Sequence, residues 1–206
     1  MISVYQLKSR FQNLLRPLVT RLYERGVTAN QVTLGACGLS LLVALAVALL
    51  ASHAWMFLLI PLWMFLRMAL NAMDGMLARE FGQQSKLGVY LNELTDVIAD
   101  SALYLPFALL AGVSPGLVVL VVVLAIISEY AGVLGVMVGA SRRYDGPMGK
   151  SDRALCFGVF GVCVAVGQLP LAWLNPLLAL VALLLVLTIV NRVRQGLAEL
   201  KQPTAG

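Results

Sequence analysis

The chain has 206 residues, 60% of them hydrophobic and only 12% charged, and its mean hydropathy is +0.88. So few charges cannot cover the surface of a soluble domain, and the long apolar runs point to a bilayer as solvent, with room for about six spans of roughly 20 residues. A formal net charge of +5 would suit nucleic acid or an anionic lipid surface, and the placement of the charges decides between them.

Residues 2–25 read as an amphipathic helix. Val4, Leu7, Phe11, Leu14, Leu15, Leu18 and Leu22 form one stripe of helical period, with Lys8, Arg10, Arg16, Arg21 and Arg25 largely off it. Pro17 predicts a kink. A basic helix ahead of a span lies naturally in the headgroup plane, with packing on a protein partner as the alternative. It lacks the uniform apolar stretch of a cleavable signal. Six spans are expected next, over 28–52, 55–80, 86–112, 115–140, 153–170 and 175–195, joined by short polar connections such as "GQQSK" and "SRRYDGPMGKSD". Cys37, Cys156 and Cys163 lie inside apolar runs, match no metal spacing and read as small apolar residues. His53 stands alone near the opposite end and carries no expected role.

Six spans place Lys86, Arg142, Arg143, Lys150, Arg153, Arg192, Arg194 and Lys201 on the side of the termini, and the opposite connections contain no Lys or Arg. The positive-inside rule then puts both termini and both polar loops in the cytoplasm of a bacterial-type inner membrane. A basic cytoplasmic face meets anionic headgroups and phosphates, so the net charge needs no nucleic acid. The expected fold class is all-α: an interfacial helix (1–26), an integral membrane bundle of six transmembrane helices (27–198) and a cytoplasmic tail (199–206).

Ionisable residues inside a span are expensive and mark function. On span two, Arg67, Asn71, Asp74 and Ala78 share one helix face, with Gly75 beside it; on span three, Asn92, Glu93, Asp96 and Asp100 share an arc of about 100°. If the two spans form a hairpin about "GQQSK", equal depth pairs Asp74 with Asn92, Asn71 with Asp96, and Arg67 with Asp100. The first two pairs then lie roughly 10–20 Å from the hairpin tip, on the cytoplasmic side. Oxygen donors without His or Cys suit a hard cation, Mg²⁺ or Mn²⁺. Interhelical hydrogen bonding alone is the plainer explanation of such polar groups. Arg79 ends the helix where a phosphate could be met. Glu129, a further acid within span four, is expected to face inward.

These residues resemble the signature of the CDP-alcohol phosphotransferase family, D-x2-D-G-x2-A-R-x8-G-x3-D-x3-D. Asn71, Asp74, Gly75, Ala78, Arg79, Gly88, Asn92 and Asp96 stand at its positions with every spacing kept, and six of the eight are identical. "TANQVT" (28–33) looks like the family's T-P-N-x-x-T stretch before span one, with Ala29 in place of proline. The resemblance implies transfer of a phosphatidyl or other phosphoalcohol group from a CDP-alcohol lipid, such as CDP-diacylglycerol, to an acceptor hydroxyl, with release of CMP. It implies one or two Mg²⁺ or Mn²⁺ ions held by Asn71, Asp74, Asn92 and Asp96, with Asp96 also the base. It implies that Gly75, Ala78, Arg79, Gly88, Asn30 and Thr33 hold the CDP moiety, and that the protein meets membrane lipids and often pairs as a homodimer. Two family aspartates are asparagines here, which removes two negative charges. Glu93 is the expected source of compensating charge, while Asp100 is expected to pair with Arg67. Arg142, Arg143, Lys150 and Arg153 are expected to bind the acceptor's phosphate or carboxylate, the alternative being an ordinary positive-inside loop. A weak or inactive relative that binds CDP-lipid or a partner protein is the competing function. A transporter fits less well, because no internal repeat or broken span is visible.

Overall fold

A computed structural model describes residues 4–167 and 170–201, and every regular element in it is a helix. Helix α1 spans Val4–Glu24 and α2 Ala29–Leu49; α3 (Leu59–Glu80) follows a 3-10 stretch at Ala54–Leu58. Helix α4 (Lys86–Tyr104) runs into a second 3-10 stretch, Leu105–Leu109; α5 (Pro115–Met137), α6 (Lys150–Val166) and α7 (Leu174–Leu200) complete the chain.

Local chemistry sets the helix starts. Thr28 caps α2 through a reciprocal box in which its Oγ1 accepts from the Gln31 N–H (3.2 Å) and the Gln31 Oε1 accepts from the Thr28 N–H (2.9 Å). Ser85 Oγ caps α4 by accepting from the Gly88 N–H (2.9 Å), and the Asp152 carboxylate accepts from the Gly149 N–H (2.9 Å) at the start of α6. That cap starts α6 at Lys150, three residues before the expected span. Helix α4 gives way to 3-10 geometry after Tyr104 rather than continuing to 112, because Pro106 cannot donate to the α-helical ladder. Helix α1 continues through Pro17. The expected ends at residue 2, at 168–170 and in the 202–206 tail fall wholly or partly outside the described residues.

Four stretches are long and apolar enough to cross a membrane: Ala29–Leu49, Ala54–Glu80, Pro115–Met137 and Leu171–Leu200. Helices α4 and α6 fall short on composition or length, and they carry many of the polar residues considered below. The outer surface is apolar, with Leu42, Leu49, Phe65 and Leu120 all exposed. This is the arrangement lipid requires, with polar groups turned inward.

Packing explains where the polar interior opens. Helix α2 lies against both α3 and α4, α6 against α3, and α5 against α7. Phe107 and Phe157 meet edge to face, with Tyr104 stacked on Phe157 at 3.9 Å, and Trp63 donates its indole N–H to Ser40 Oγ at 2.8 Å. Helix α1 joins the bundle through Val19, packed with Met73, Met76 and Leu77, and through an Arg16–Glu80 ion pair. The loop before α6 passes very close to α7: Met148 donates its N–H to Thr188 Oγ1 (2.9 Å), and Gly146 has φ +122°. A Cβ on Gly146 would lie 2.6 Å from Thr188 Cα. Gly146→Ala therefore combines backbone strain with overpacking and should lower stability by about 2–4 kcal/mol. A lower thermal-unfolding midpoint in detergent, relative to an exposed Ala substitution in the same loop, checks this.

Candidate active site

Helices α3 and α4 were expected to face each other along a closed hairpin. Instead both lean on α2 with little direct contact between them, and long side chains bridge the gap. Arg67 Nη1 donates to Asp100 Oδ1, while Nη2 donates to Asp96 Oδ1 (3.0 Å) and to the Asp96 carbonyl (3.3 Å). Asn71 Nδ2 donates to the same Asp96 Oδ1 (3.4 Å). The Arg67–Asp100 and Asn71–Asp96 depth pairs are thus in contact, whereas Asp74 and Asn92 stand on the wall of a cleft of ≈ 380 Å³.

The cleft gathers the residues expected to hold the CDP moiety: Asn30, Thr33, Gly75, Ala78, Arg79 and Gly88. Thr33 Oγ1 donates to Asp74 Oδ2 (2.8 Å), so α2 orients the carboxylate. Arg79 folds back over Gly75, where a Cβ would come within 2.8 Å of its guanidinium. At Gly88 a Cβ would meet Asn30 Oδ1 and Ser85 Oγ, both at 3.0 Å. Both glycines therefore hold the cleft open at the cost of no contact that a larger residue would keep.

A second cavity of ≈ 600 Å³ adjoins the cleft along α4, lined by Asn71, Asn92, Glu93, Asp96, Glu129, Arg142, Lys150 and Arg192 among others. The Lys150 ammonium pairs with Asp96 Oδ2. Arg142 reaches Glu93 (2.5 Å) and Glu129 (3.3 Å) and covers the Tyr144 ring at 4.4 Å. Burial opposes the charge on Arg142, but Glu93 outweighs it and holds the guanidinium above its ordinary pKa. Glu93, expected beside the metal ligands, has one oxygen committed to this arginine. Arg153 is buried and donates to Glu129 Oε1 (2.9 Å). Arg143 sits apart from the other expected acceptor residues: it pairs with Asp145 (2.8 Å) and Glu199 (2.5 Å), tying the loop to the end of α7. Its hydrogen bond holds the Asp145 carboxyl below the usual range.

Two side chains gain importance beyond the sequence reading. Arg192, counted there only as a cytoplasmic positive charge, is buried in α7 and donates to the Ser128 carbonyl beside Glu129. Gly132 opposite it has no Cβ to crowd the guanidinium. Glu129 lies at the centre of three arginines.

A third cavity, ≈ 620 Å³ and mostly apolar, opens between α3 and α6 along Met64, Phe65, Met68, Leu155 and Val159. It shares Asn71 and Lys150 with the second cavity, and the second shares Asn92 and Glu93 with the cleft. The second cavity therefore adjoins this apolar groove at Asn71 and Lys150 and the cleft at Asn92 and Glu93, and Asp96 lies on its wall. The oxygen donors along these spaces are Asp74 in the cleft, Asp96 in the second cavity, and the amide oxygens of Asn71 and Asn92 on the shared walls. This set fits a hard divalent ion that completes its coordination with substrate phosphates, although no three His, Cys, Asp or Glu side chains cluster as a ready-made metal site among the described residues.

The family model for CDP-alcohol phosphatidyltransferase matches residues 26–190. The inner membrane protein YnbA of Escherichia coli K12 is 48% identical over 196 residues, covering 95% of this chain and 97% of that one. An archaetidylinositol phosphate synthase of Aeropyrum pernix is 30% identical over 138 residues, 66% of this chain and 69% of that one. Among solved structures, the phosphatidylinositol phosphate synthase of Mycobacterium tuberculosis in complex with manganese and citrate aligns with a TM-score of 0.73 at 20% identity, over 92% of this chain and 90% of that one. The same enzyme with CDP-DAG bound gives 0.71 at 19% identity, over 92% and 94%. These two likenesses establish a shared fold.

Arg67 and Asp100 are both buried, so breaking the pair leaves an uncompensated charge. Arg67→Met should cost about 3 kcal/mol, and adding Asp100→Leu should restore most of it. A double-mutant cycle of unfolding midpoints in detergent reads both effects.

Proposed function

We propose that this chain, which belongs to the CDP-alcohol phosphatidyltransferase family, transfers the phosphoalcohol group of a CDP-alcohol to an acceptor hydroxyl and releases CMP. The observation that carries this is a run of three adjoining, unlike spaces: a polar cleft beside Asp74 and Arg79, a charged chamber that shares Asn92 with the cleft and holds Asp96, and an apolar groove that shares Asn71 with the chamber. A nucleotide diphosphate, a hydrophilic acceptor and lipid chains require three such environments converging on one phosphorus. CDP-diacylglycerol is the donor that fits the groove.

In this proposal the cleft holds the CDP moiety, with Arg79 available to a phosphate and Gly75 and Gly88 giving close access to the backbone. Asp96 takes the proton from the acceptor hydroxyl. Arg67 and Asn71 hold its Oδ1 in place, which fixes the carboxylate on the chamber wall. Asp74, Asp96, Asn71 and Asn92 would hold Mg²⁺ or Mn²⁺, with Glu93 the nearest further carboxylate, and the ion would neutralise the diphosphate and the CMP leaving group. Arg142, Lys150 and Arg153 form the acceptor side. Helices α4 and α6 supply two further spans, making six over residues 27–198, with α1 in the interface and the basic loops in the cytoplasm.

A second function has one specific observation in its favour. Two asparagines replace carboxylates, and Arg67 and Lys150 both pair with Asp96, as would suit a relative that binds CDP-lipid without turnover. Purified protein with CDP-diacylglycerol, Mg²⁺ or Mn²⁺ and a panel of alcohols should release CMP, and Asp96→Asn should reduce the rate by about 10²–10⁴-fold. Absence of CMP release from wild type, with release appearing in Asn71→Asp/Asn92→Asp, would instead support the binding function.

A further inference from the structure

Glu129 is the one acid on α5, and it is almost fully buried. Three guanidiniums converge on its carboxylate from three directions: Arg153 at 2.9 Å, Arg142 at 3.3 Å and Arg192 at 3.4 Å. Arg153 and Arg192 are themselves only 1% and 2% exposed. Two buried arginines and the half-buried Arg142, all directed to one point, are what an oxyanion with several acceptor oxygens requires. Here the chain's own carboxylate fills that point.

The rest of the chamber is balanced in the same way. Arg142 has Glu93 as a second partner, Arg153 lies 3.5 Å from Asp100, and Lys150 pairs with Asp96. A phosphomonoester carries a charge of about −1.5 to −2. Brought into this chamber, it would either compete with Glu129 for the same guanidiniums or stand beside a carboxylate with no cation free to offset it. Both are costly in a site shielded from water.

From this geometry we infer that Glu129 is a built-in counter-ion and selects an acceptor alcohol that carries no phosphate or other anionic group. The inference rests on the transfer reaction proposed above and narrows its acceptor class. Glu129 does not touch the reacting atoms; it acts by occupying the anion position, and the three arginines it neutralises then shape the chamber wall. The acceptor is left to the uncharged hydrogen-bonding groups, such as Asn92 and Ser151, that line the same space.

Two measurements on the full-length protein in detergent test this. In the first, inorganic phosphate is titrated by calorimetry into wild type and Glu129→Gln, without donor. Wild type should bind it weakly, and Glu129→Gln at least about tenfold more tightly, since a charge repelling the anion has been removed. In the second, CMP release from CDP-diacylglycerol is compared for matched alcohols, glycerol against glycerol 3-phosphate and inositol against inositol 1-phosphate. Wild type should favour the unphosphorylated member of each pair, and Glu129→Gln should move the ratio toward the phosphorylated one by about tenfold. Equal phosphate affinity in the two proteins, or wild-type preference for the phosphorylated alcohols, overturns the inference. Should Glu129→Gln fail to fold, the wild-type alcohol preference decides alone. CMP release with no alcohol at all would count against the transfer reaction, while the phosphate titration would still judge the counter-ion role.

Discussion

Charge inside an apolar bundle persists only where it is paired, because an isolated buried ion costs several kcal/mol and no water is at hand to offset it. Arg67 and Arg153 meet this constraint together. Arg67 spans the gap between α3 and α4 to reach Asp100 and Asp96, and Arg153 approaches Asp100 from α6 and continues to Glu129 on α5. Arg192 adds α7 to the same network. One chain of ion pairs thus joins five helices at the depth where the cavities meet.

That network explains how α3 and α4 can stand apart without the bundle collapsing. Direct packing of the two would bury Asn71, Asp74, Asn92 and Asp96 against each other and leave no room for a ligand. Helix α2 separates them instead, with Thr33 fastening Asp74, and the arginine bridges hold the spacing. The space gained is the cleft. The loop 138–149 contributes Arg142, Tyr144 and Gly149 to the chamber wall and is held by the Gly146 approach to Thr188 and by the Arg143 contacts to Asp145 and Glu199.

Much of this was legible in the amino-acid order. Spacings of three and four on α3 and α4 placed Arg67, Asn71 and Asp74 on one face and Asn92, Asp96 and Asp100 on another, and equal depth paired Arg67 with Asp100. The stretches "TANQVT" and "GQQSK" stood out as polar punctuation, while the capping by Thr28 and Ser85 within them came from the structure. Periodicity reports direction around a single helix, however, and not the distance between two. Hence the facing of Asp74 and Asn92 across a cleft, rather than in contact, was not predictable. Arg142 and Arg143 illustrate the same limit, since adjacent residues in an extended loop point to opposite sides and only the fold decides which side holds the chamber.

The sequence by itself determined an all-helical chain whose exterior must face lipid, a bias of positive charge toward one set of connections, and a motif of oxygen-bearing side chains with its family's spacing. These follow from local quantities: hydropathy, helical period and residue type. The tertiary structure decided the separation of α3 and α4, the sharing of Asn71 and Asn92 between adjoining cavities, and the assignment of partners among the buried charges. Glu129 shows why. In the sequence it is a single acid in an apolar run, and its meaning comes from arginines 13, 24 and 63 residues away, because electrostatic balance is set by distance in space and not by distance along the chain.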